Sequence, residues 1–314
     1  MKRTWSRSNT PIGADVAPSR AVKRVHALLN TGHKDVVDAD LSGYFDAIPQ
    51  AELIKSVARR ISDGAVLHLI KRWLEVPVEQ TEARGRKHRS GGSKERGRGV
   101  PQGAPISPLL SNLYMRRFIL GWKLLGYEQR LDAHIVTYAD DMVICCRGTA
   151  EQAMAAMRHI LGRLKLTVNE AKTQVCRVPE ASFDFLGYTI GRCYAAKTGR
   201  AYVGTRPSRK QIQRLCREIS EMTAGRWTLL ETQDRVEQIN RKLRGWSAYF
   251  CLGPVSKAYR IVDRHTSHRL RQWLCKKHKV RGQGTSRYPD AYLYEELGLL
   301  RLQGLPRSFA WAKA

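Results

Sequence analysis

Two adjacent acids, Asp140 and Asp141, stand between two short apolar, β-branched runs, His134-Ile135-Val136-Thr137-Tyr138 and Met142-Val143-Ile144-Cys145-Cys146. This pattern predicts strand, tight turn, strand, with the carboxylates at the hairpin tip. It constrains the fold strongly. Two like charges in mid-sheet would be desolvated without a partner, so the tip must stay open to water or to a cation. Paired carboxylates at a turn suit Mg²⁺, a hard cation that takes oxygen ligands and keeps several waters. A solvated turn without chemistry has the same local pattern, so the pair is read with its surroundings.

A hundred residues upstream lies Asp35-Val36-Val37-Asp38-Ala39-Asp40-Leu41-Ser42-Gly43-Tyr44-Phe45-Asp46. Residues 36–41 predict a strand, and residues of one parity share a face, so Asp38 and Asp40 point the same way. Ser42-Gly43 ends the strand. Leu53, Ile54, Val57 and Ile61 then mark an amphipathic helix, and residues 50–76 read as two helices. Between the two acidic segments, Gly99-Val100-Pro101-Gln102-Gly103-Ala104-Pro105-Ile106 predicts a loop. Ser107-Pro108 is expected to cap the helix that continues through Leu109, Leu110, Leu113 and Tyr114.

These three segments, in this order, resemble the palm of the group II intron reverse transcriptase/maturase family. Asp40-Leu41-Ser42-Gly43-Tyr44-Phe45-Asp46 resembles its first carboxylate motif. The stretch Val100 to Asn112 resembles its nucleotide-facing loop and helix, and Tyr138-Ala139-Asp140-Asp141 its catalytic hairpin. Leu164 to Thr173 is similar to the motif carrying a lysine, Phe185-Leu186-Gly187-Tyr188 to the primer-grip hairpin, and Leu243 to Phe250 to a thumb or maturase segment. The resemblance implies an α+β fold: a polymerase palm, an antiparallel sheet with packed helices, followed by an α-helical thumb/maturase domain. It implies Asp40, Asp140 and Asp141 as catalytic residues, with Asp40, Leu41, Asp140 and Asp141 holding Mg²⁺. Two ions a few ångströms apart stabilise the attacking and leaving oxygens of an in-line displacement at phosphorus. Phe45 would pack under the incoming sugar and select deoxynucleotides; an ordinary core aromatic is the alternative. Gln102 and Gly103 would face the nucleotide, and Lys172 would serve the pyrophosphate leaving group or be a plain surface lysine. Asp38 is read as a neighbouring solvated acid.

Composition agrees with a polyanionic partner. Among 314 residues, Lys and Arg number 55 against 28 acids, a formal net charge of +27, and the isoelectric point is near 10.2. Nucleic acid is the simplest such partner. A membrane surface competes, but the sequence has no long apolar span and no signal-like start. The seven cysteines follow no C-x-x-C spacing, which points to free thiols in a reducing, cytoplasmic setting of bacterial type. His265, His268, Cys275 and His278 lack a second ligand pair at zinc spacing, and no Cys/His pairs of an HNH-type endonuclease occur, so that activity is not expected.

Three regions are expected. Residues 1–34 form a basic segment with a short helix through Val22, Val25, Leu28 and Leu29. Residues 35–205 form the palm, including a basic segment at 82–99 that is either a solvated insertion or a phosphate-contacting hairpin. Residues 206–314 form the thumb/maturase-like RNA-binding domain, beginning with Ser208 as a helix cap. Its helical stripes are Ile212, Leu215, Ile219, Met222 and Val236, Ile239, Leu243, Trp246, with a third basic helix over 256–279. Within residues 35–205, a helix is expected over 151–166 and strands over 183–190 and 201–203. Family members carry a fingers region before the first carboxylate motif, and the 39 residues ahead of Asp40 do not match it. A truncated or split reading frame, or a separate fingers-bearing chain, is therefore expected. The leading functional expectation is an RNA-directed DNA polymerase of group II intron type that uses dNTPs and a DNA primer and binds intron and template RNA. The alternatives are a non-catalytic RNA-binding maturase, half of a split enzyme, and a polymerase recruited to a defence system.

Overall fold

The computed structural model describes residues 17–76, 79–81, 87–89, 97–195 and 197–305. In chain order the elements are α1 (Pro18–Asn30), β1 (Asp35–Ala39), α2 (Tyr44–Ala47), α3 (Gln50–Ala58), α4 (Gly64–Glu75), β2 (Glu79–Thr81), β3 (Lys87–Arg89) and α5 (Ser107–Leu124). There follow α6 (Tyr127–Arg130), β4 (His134–Tyr138), β5 (Asp141–Cys146), α7 (Ala150–Arg163), β6 (Gln174–Arg177), β7 (Phe183–Phe185), β8 (Tyr188–Tyr194), β9 (Ala201–Pro207), α8 (Arg209–Met222), α9 (Thr232–Tyr249) and α10 (Ser256–Lys277). The chain divides into two compact units, Met1–Ala181 and Ser182–Ala314.

The first unit is built on a four-stranded antiparallel sheet in the order β4-β5-β1-β6. One face of this sheet, with Val37, Ala39, Met142, Ile144 and Cys146, joins the main core. Covering it is α5, whose Leu110, Tyr114, Phe118 and Trp122 recur every four residues and so form one stripe of the helix. From α7, Ala153, Met157, Ile160 and Leu161 complete the layer. The aromatic residues that enter this core bring polar groups, and each finds a partner. Tyr114 Oη donates to the Leu164 carbonyl at 2.8 Å, Trp122 Nε1 to the Ala133 carbonyl at 3.1 Å, and Tyr44 Oη to the Ser111 carbonyl at 2.6 Å. The expected α1 is present, with Pro18 in its first turn and Ala21, Val22, Val25, Leu28 and Leu29 buried. At α4 the Asp63 carboxylate caps the helix, accepting from the Ala65 and Val66 N–H groups at 2.7 and 3.2 Å.

Two local expectations change. Ser107 does not cap α5: it is the first helical residue, and its hydroxyl donates to the Pro101 carbonyl at 2.5 Å. The helix starts one position early because the Pro101–Ile106 loop folds back far enough to take that donor. The short β6 has two adjacent apolar residues, Val175 and Cys176, and no alternating strand pattern, yet it pairs with β1 over four residues. Of the basic segment 82–99, residues 82–86 and 90–96 lie outside the described residues; the flanking β2 and β3 pair as an antiparallel hairpin.

The second unit holds the three-stranded antiparallel sheet β7-β8-β9 and the helices α8, α9 and α10. Leu186 and Gly187 both have positive φ (50° and 77°) and make the β7–β8 turn. This turn falls within the Phe185-Leu186-Gly187-Tyr188 hairpin of the family resemblance and divides the strand region read over 183–190 into β7 and β8. The three strands cluster with the helices that follow, so the compact units part at 181/182, ahead of the 205/206 boundary read from the sequence. Ser208 caps α8 as expected, its Oγ accepting from the Gln211 N–H at 3.4 Å. Leu215, Ile219, Val236, Ile239, Leu243, Leu270 and Trp273 form the helical core. Two buried polar side chains pin the C-terminal turns to it. Asp263 accepts from the Leu302 and Gln303 N–H groups, and Asn240 bonds the Gly298 carbonyl and the Leu300 N–H. Among the described residues no helix is long and apolar enough to cross a membrane.

Phe118 is fully buried, so Phe118→Ala is expected to lower the unfolding free energy of the first unit by about 3–5 kcal/mol in urea denaturation. Leu124→Ala, at the 85% exposed end of the same helix, is expected to change it by less than about 0.5 kcal/mol. Equal effects would contradict the buried face assigned to α5.

Candidate active site

The register of the first sheet assembles the acids. Asp38 pairs with Val143 across β1 and β5, and directly paired residues share a face. Val143 and Asp141 are two apart on β5 and also share it. Asp38 and Asp141 therefore lie on one face, with Asp40 one residue beyond the end of β1. Tyr138 pairs with Asp141, which leaves Ala139 and Asp140 as a two-residue turn. Asp140 thus occupies the tip, while Asp141 opens β5. Ala139 has a φ of 54°, a left-handed conformation that costs an L-residue roughly 1–2 kcal/mol, so the turn beside the acids is strained.

The cluster has a clear electrostatic signature. The Asp141 carboxyl is held up at about 6, first by partial removal from water, then by the negative charges of Asp140, Asp38 and Asp40. The residue keeps an exposed side, so the crowding acts at its inner side. Asp140 also reaches Tyr44, whose buried hydroxyl is pushed to a higher pKa mainly by desolvation and in part by Asp140. All the donors here are oxygens, and the negative charge is concentrated. That set fits a hard divalent cation.

The segment 168–174 wraps the other side of the acids. Asn169 Nδ2 donates to Asp40 Oδ2 at 3.1 Å, and Lys172 Nζ lies 3.3 Å from the same oxygen. Thr173 Oγ1 accepts from the Asp40 N–H at 3.3 Å, and Gln174 Nε2 donates to Asp38 Oδ2 at 3.3 Å. Leu41 forms an isolated antiparallel bridge with Val168. The bonds of that bridge belong to its neighbours: Asn169 N–H to the Asp40 carbonyl and Ser42 N–H to the Thr167 carbonyl. In this pattern the Leu41 carbonyl points away from residue 168.

The loop after Gly99 docks on α2. Val100 N–H donates to the Phe45 carbonyl and Gly99 N–H to the Ile48 carbonyl, both at 2.8 Å. Gln102 Nε2 reaches both Asp46 oxygens at 3.1 and 3.3 Å. Gly103 has a φ of 89° and open space where a Cβ would stand. Phe45 is half-buried at the edge of the core, edge-on to Tyr44 with ring centroids 5.7 Å apart. The structure thus brings Asp40, Asp140, Asp141 and Lys172 together and ties Gln102 to the helix carrying Phe45. Among the described residues no hydrogen bond joins Gln102 to Asp40, Asp140 or Asp141. Asn169 and Gln174 escape sequence reasoning. The only signal for them is their nearness to Lys172, since β6 is too short to show a period.

In the second unit, Arg269 donates to the Ser220 carbonyl and to Thr223, Arg271 to the Tyr288 carbonyl and Asp290, and Lys277 to the carbonyls of Thr228 and Leu230. These three cations of the expected basic helix are structural. Arg260, Arg264, Lys276 and Lys279 are exposed, as are Arg209, Lys210, Arg214, Arg217, Arg241, Lys242 and Arg244. An open groove of about 660 Å³ between α8 and α9, lined by Arg214, Glu218, Arg241, Lys242 and Trp246, contains none of the predicted site residues.

Comparison with known proteins covers both units. Residues 9–190 match the reverse transcriptase (RNA-dependent DNA polymerase) family, and residues 212–289 match the group II intron maturase-specific domain. The first match begins well ahead of Asp40 and takes in the segment that motif reading left outside the family. Protein YkfC of Escherichia coli K12 is 31% identical over 206 residues, covering 56% of this chain and 51% of its own length. The putative COX1/OXI3 intron 1 protein of Saccharomyces cerevisiae is 25% identical over 205 residues, covering 49% of this chain and 24% of its own. The chain therefore spans about half or less of the curated relatives it matches. Apo telomerase from Candida tropicalis covers 91% of this chain and 49% of its own at 10% identity, with a TM-score of 0.45. Its C-terminally truncated form covers 59% and 39% at 17% identity, with a TM-score of 0.41. Both structural likenesses are weak. With its acidic hairpin inside a match over more than half its length, the chain belongs to the reverse transcriptase (RNA-dependent DNA polymerase) family, in the branch that carries a group II intron maturase-specific domain.

Proposed function

We propose that this chain is an RNA-directed DNA polymerase of group II intron type that adds deoxynucleotides to a primer 3′-hydroxyl and binds intron and template RNA. The observation that carries the reading is the convergence of Asp40, Asp140 and Asp141 at one end of the sheet, with the Asp141 carboxyl raised first by desolvation and then by its acidic neighbours. A pure binding module has no need of carboxylates gathered in this way. The Leu41 carbonyl and the three carboxylates would hold Mg²⁺. When bound, the metal would activate the attacking hydroxyl and offset charge on the leaving oxygens. Asp141 has to lose its proton to act as a ligand, and Asn169 and Gln174 fix Asp40 and Asp38. Lys172, exposed and 3.3 Å from Asp40 Oδ2, would neutralise or protonate pyrophosphate. Phe45, at the open edge of the core, would lie under the sugar, and Gln102 with Gly103 would line the nucleotide.

RNA contact is assigned to the exposed cations of α8, α9 and α10. The maturase-specific match over 212–289 lies on the same helices. Their partner would be folded intron RNA, recognised largely through phosphates and shape. A non-catalytic RNA-binding maturase, or one half of a split enzyme, would keep that surface without polymerisation.

Primer extension on an RNA template with dNTPs and Mg²⁺ tests the reading. Extension by the parent chain and its loss in Asp140→Ala, with RNA affinity within a few-fold, is the expected result. No extension by either protein, with RNA binding retained, would favour the non-catalytic or split alternative. Affinity for Mg²⁺ is expected to rise as pH increases through about 6, because the Asp141 proton competes with the cation. In Asp140→Asn that step should move to lower pH, as one raising charge is gone; isothermal titration at several pH values reports both. RNA affinity should fall on the order of 10³-fold between about 50 and 200 mM salt if about six phosphates are contacted. A flat salt response would contradict the basic surface.

A further inference from the structure

A second cluster of ligating side chains lies at the opposite end of β4 from the acidic turn. His134 begins the strand that ends at Tyr138, so the two ends are separated by about 13 Å along the strand. His33 follows α1 and is 5% exposed. Asp132 precedes β4. His33 Nε2 lies 3.1 Å from Asp132 Oδ1, and His134 Nε2 lies 3.5 Å from the same oxygen. The two imidazoles meet edge to face with centroids 4.8 Å apart.

The other nitrogen of each ring also faces oxygen acceptors. His33 Nδ1 is 3.2 Å from the Leu28 carbonyl and 3.1 Å from Thr31 Oγ1. The Thr31 hydroxyl already donates to that carbonyl at 2.9 Å. Both neighbours therefore require a proton on Nδ1. His134 Nδ1 is 3.2 Å from the Glu128 carboxylate, which makes the same demand. A neutral imidazole has a single N–H. With that proton on Nδ1, each ring presents a bare Nε2 lone pair toward Asp132. The His33 lone pair would then face Asp132 Oδ1 with the His134 nitrogen 3.5 Å from the same oxygen, and a cation among the three atoms, or a proton on His33, is needed to relieve that contact.

We propose that His33 Nε2, His134 Nε2 and one oxygen of Asp132 form a binding site for a zinc-class divalent transition-metal ion, with a fourth position open to water. Nitrogen and oxygen donors about 2.0–2.1 Å from a tetrahedral ion stand about 3.3 Å apart, and the two separations to Asp132 bracket that value. The surroundings have the arrangement that orients metal-bound histidines, a backbone carbonyl on one ring and a carboxylate on the other. Arg147 Nε sits 3.4 Å from the outer Asp132 oxygen, Oδ2, and leaves Oδ1 for the metal. The ligand atoms lie within 4.8 Å of one another, so modest side-chain movement closes the set. Bound there, the ion would fasten the end of α1 to the sheet that carries the acids.

The test is a cobalt titration of the full chain, stripped with chelator and held in millimolar Mg²⁺ to occupy the all-oxygen site. The expected result is one equivalent of Co²⁺ bound with a four- or five-coordinate d–d spectrum, no thiolate charge transfer, and displacement by Zn²⁺. Asp132→Asn and His134→Gln should each abolish this spectrum with circular dichroism unchanged. Glu128→Gln keeps all three ligands and should weaken binding on the order of 10–100-fold, which holds the test open if a ligand variant fails to fold. Absence of saturable Co²⁺ binding, a thiolate signature, or an unchanged spectrum in Asp132→Asn would overturn the site in favour of a protonated histidine pair.

Discussion

The first unit is organised around a repulsion. Asp38, Asp40, Asp140 and Asp141 would separate if the chain allowed it, and the antiparallel pairing of β1 with β5 and of β4 with β5 prevents them. The register costs little elsewhere because each strand has a second, apolar face. Val37, Ala39, Met142, Ile144 and Cys146 are buried against α5 and α7, and burying such side chains contributes roughly 1.5–3 kcal/mol for each large one. A slip of one residue would exchange the faces and drive Asp38 and Asp141 into the apolar layer under α5 and α7. The same burial that stabilises the sheet therefore keeps the carboxylates together, and Asp141 responds with a raised proton affinity.

The polar partners around this cluster make a frame. Asn169, Lys172 and Thr173 engage Asp40, and Gln174 engages Asp38, all from one short segment that β6 attaches to β1. On the other side, the loop after Gly99 is bonded to α2 through the Phe45 and Ile48 carbonyls. Substrate-facing candidates thus hang on the C-terminal end of β1, one group through its pairing with β6 and one through α2. In the second unit, buried Asp263 and Asn240 hold the turns at 298–303 to the helical core. Part of its basic charge is likewise internal, since Arg269, Arg271 and Lys277 bond backbone carbonyls.

The stripes on α1 and α7 were legible because each helix buries one face at a period near 3.6; on α5 the expected series agrees at Leu110 and Tyr114, but Leu109 is exposed and Phe118 and Trp122 carry the stripe onward. The hairpin was legible because the β-branched runs flank two acids that no core accepts. Other features were hidden for identifiable reasons. Ser107 was read as a cap from Ser-Pro alone, but the loop ahead of it supplies an acceptor and moves the helix start. β6 has four residues with its two apolar side chains adjacent, too little for a period-two pattern. Asp38 was set aside as a solvated neighbour, yet it stands half-buried on Gln174 and its charge reaches Asp141. His33 is 99 residues from Asp132, and no spacing rule connects them.

The sequence by itself determined the family, the alternation that sends apolar faces inward, and the identity of the acids, because side-chain period and motif order are local properties of the chain. The tertiary structure alone decided which side chains surround those acids, which cations remain exposed, and that two histidines and an aspartate from separate segments meet at one point. Those outcomes depend on strand register and on how loops return to the sheet, and long-range pairing sets both.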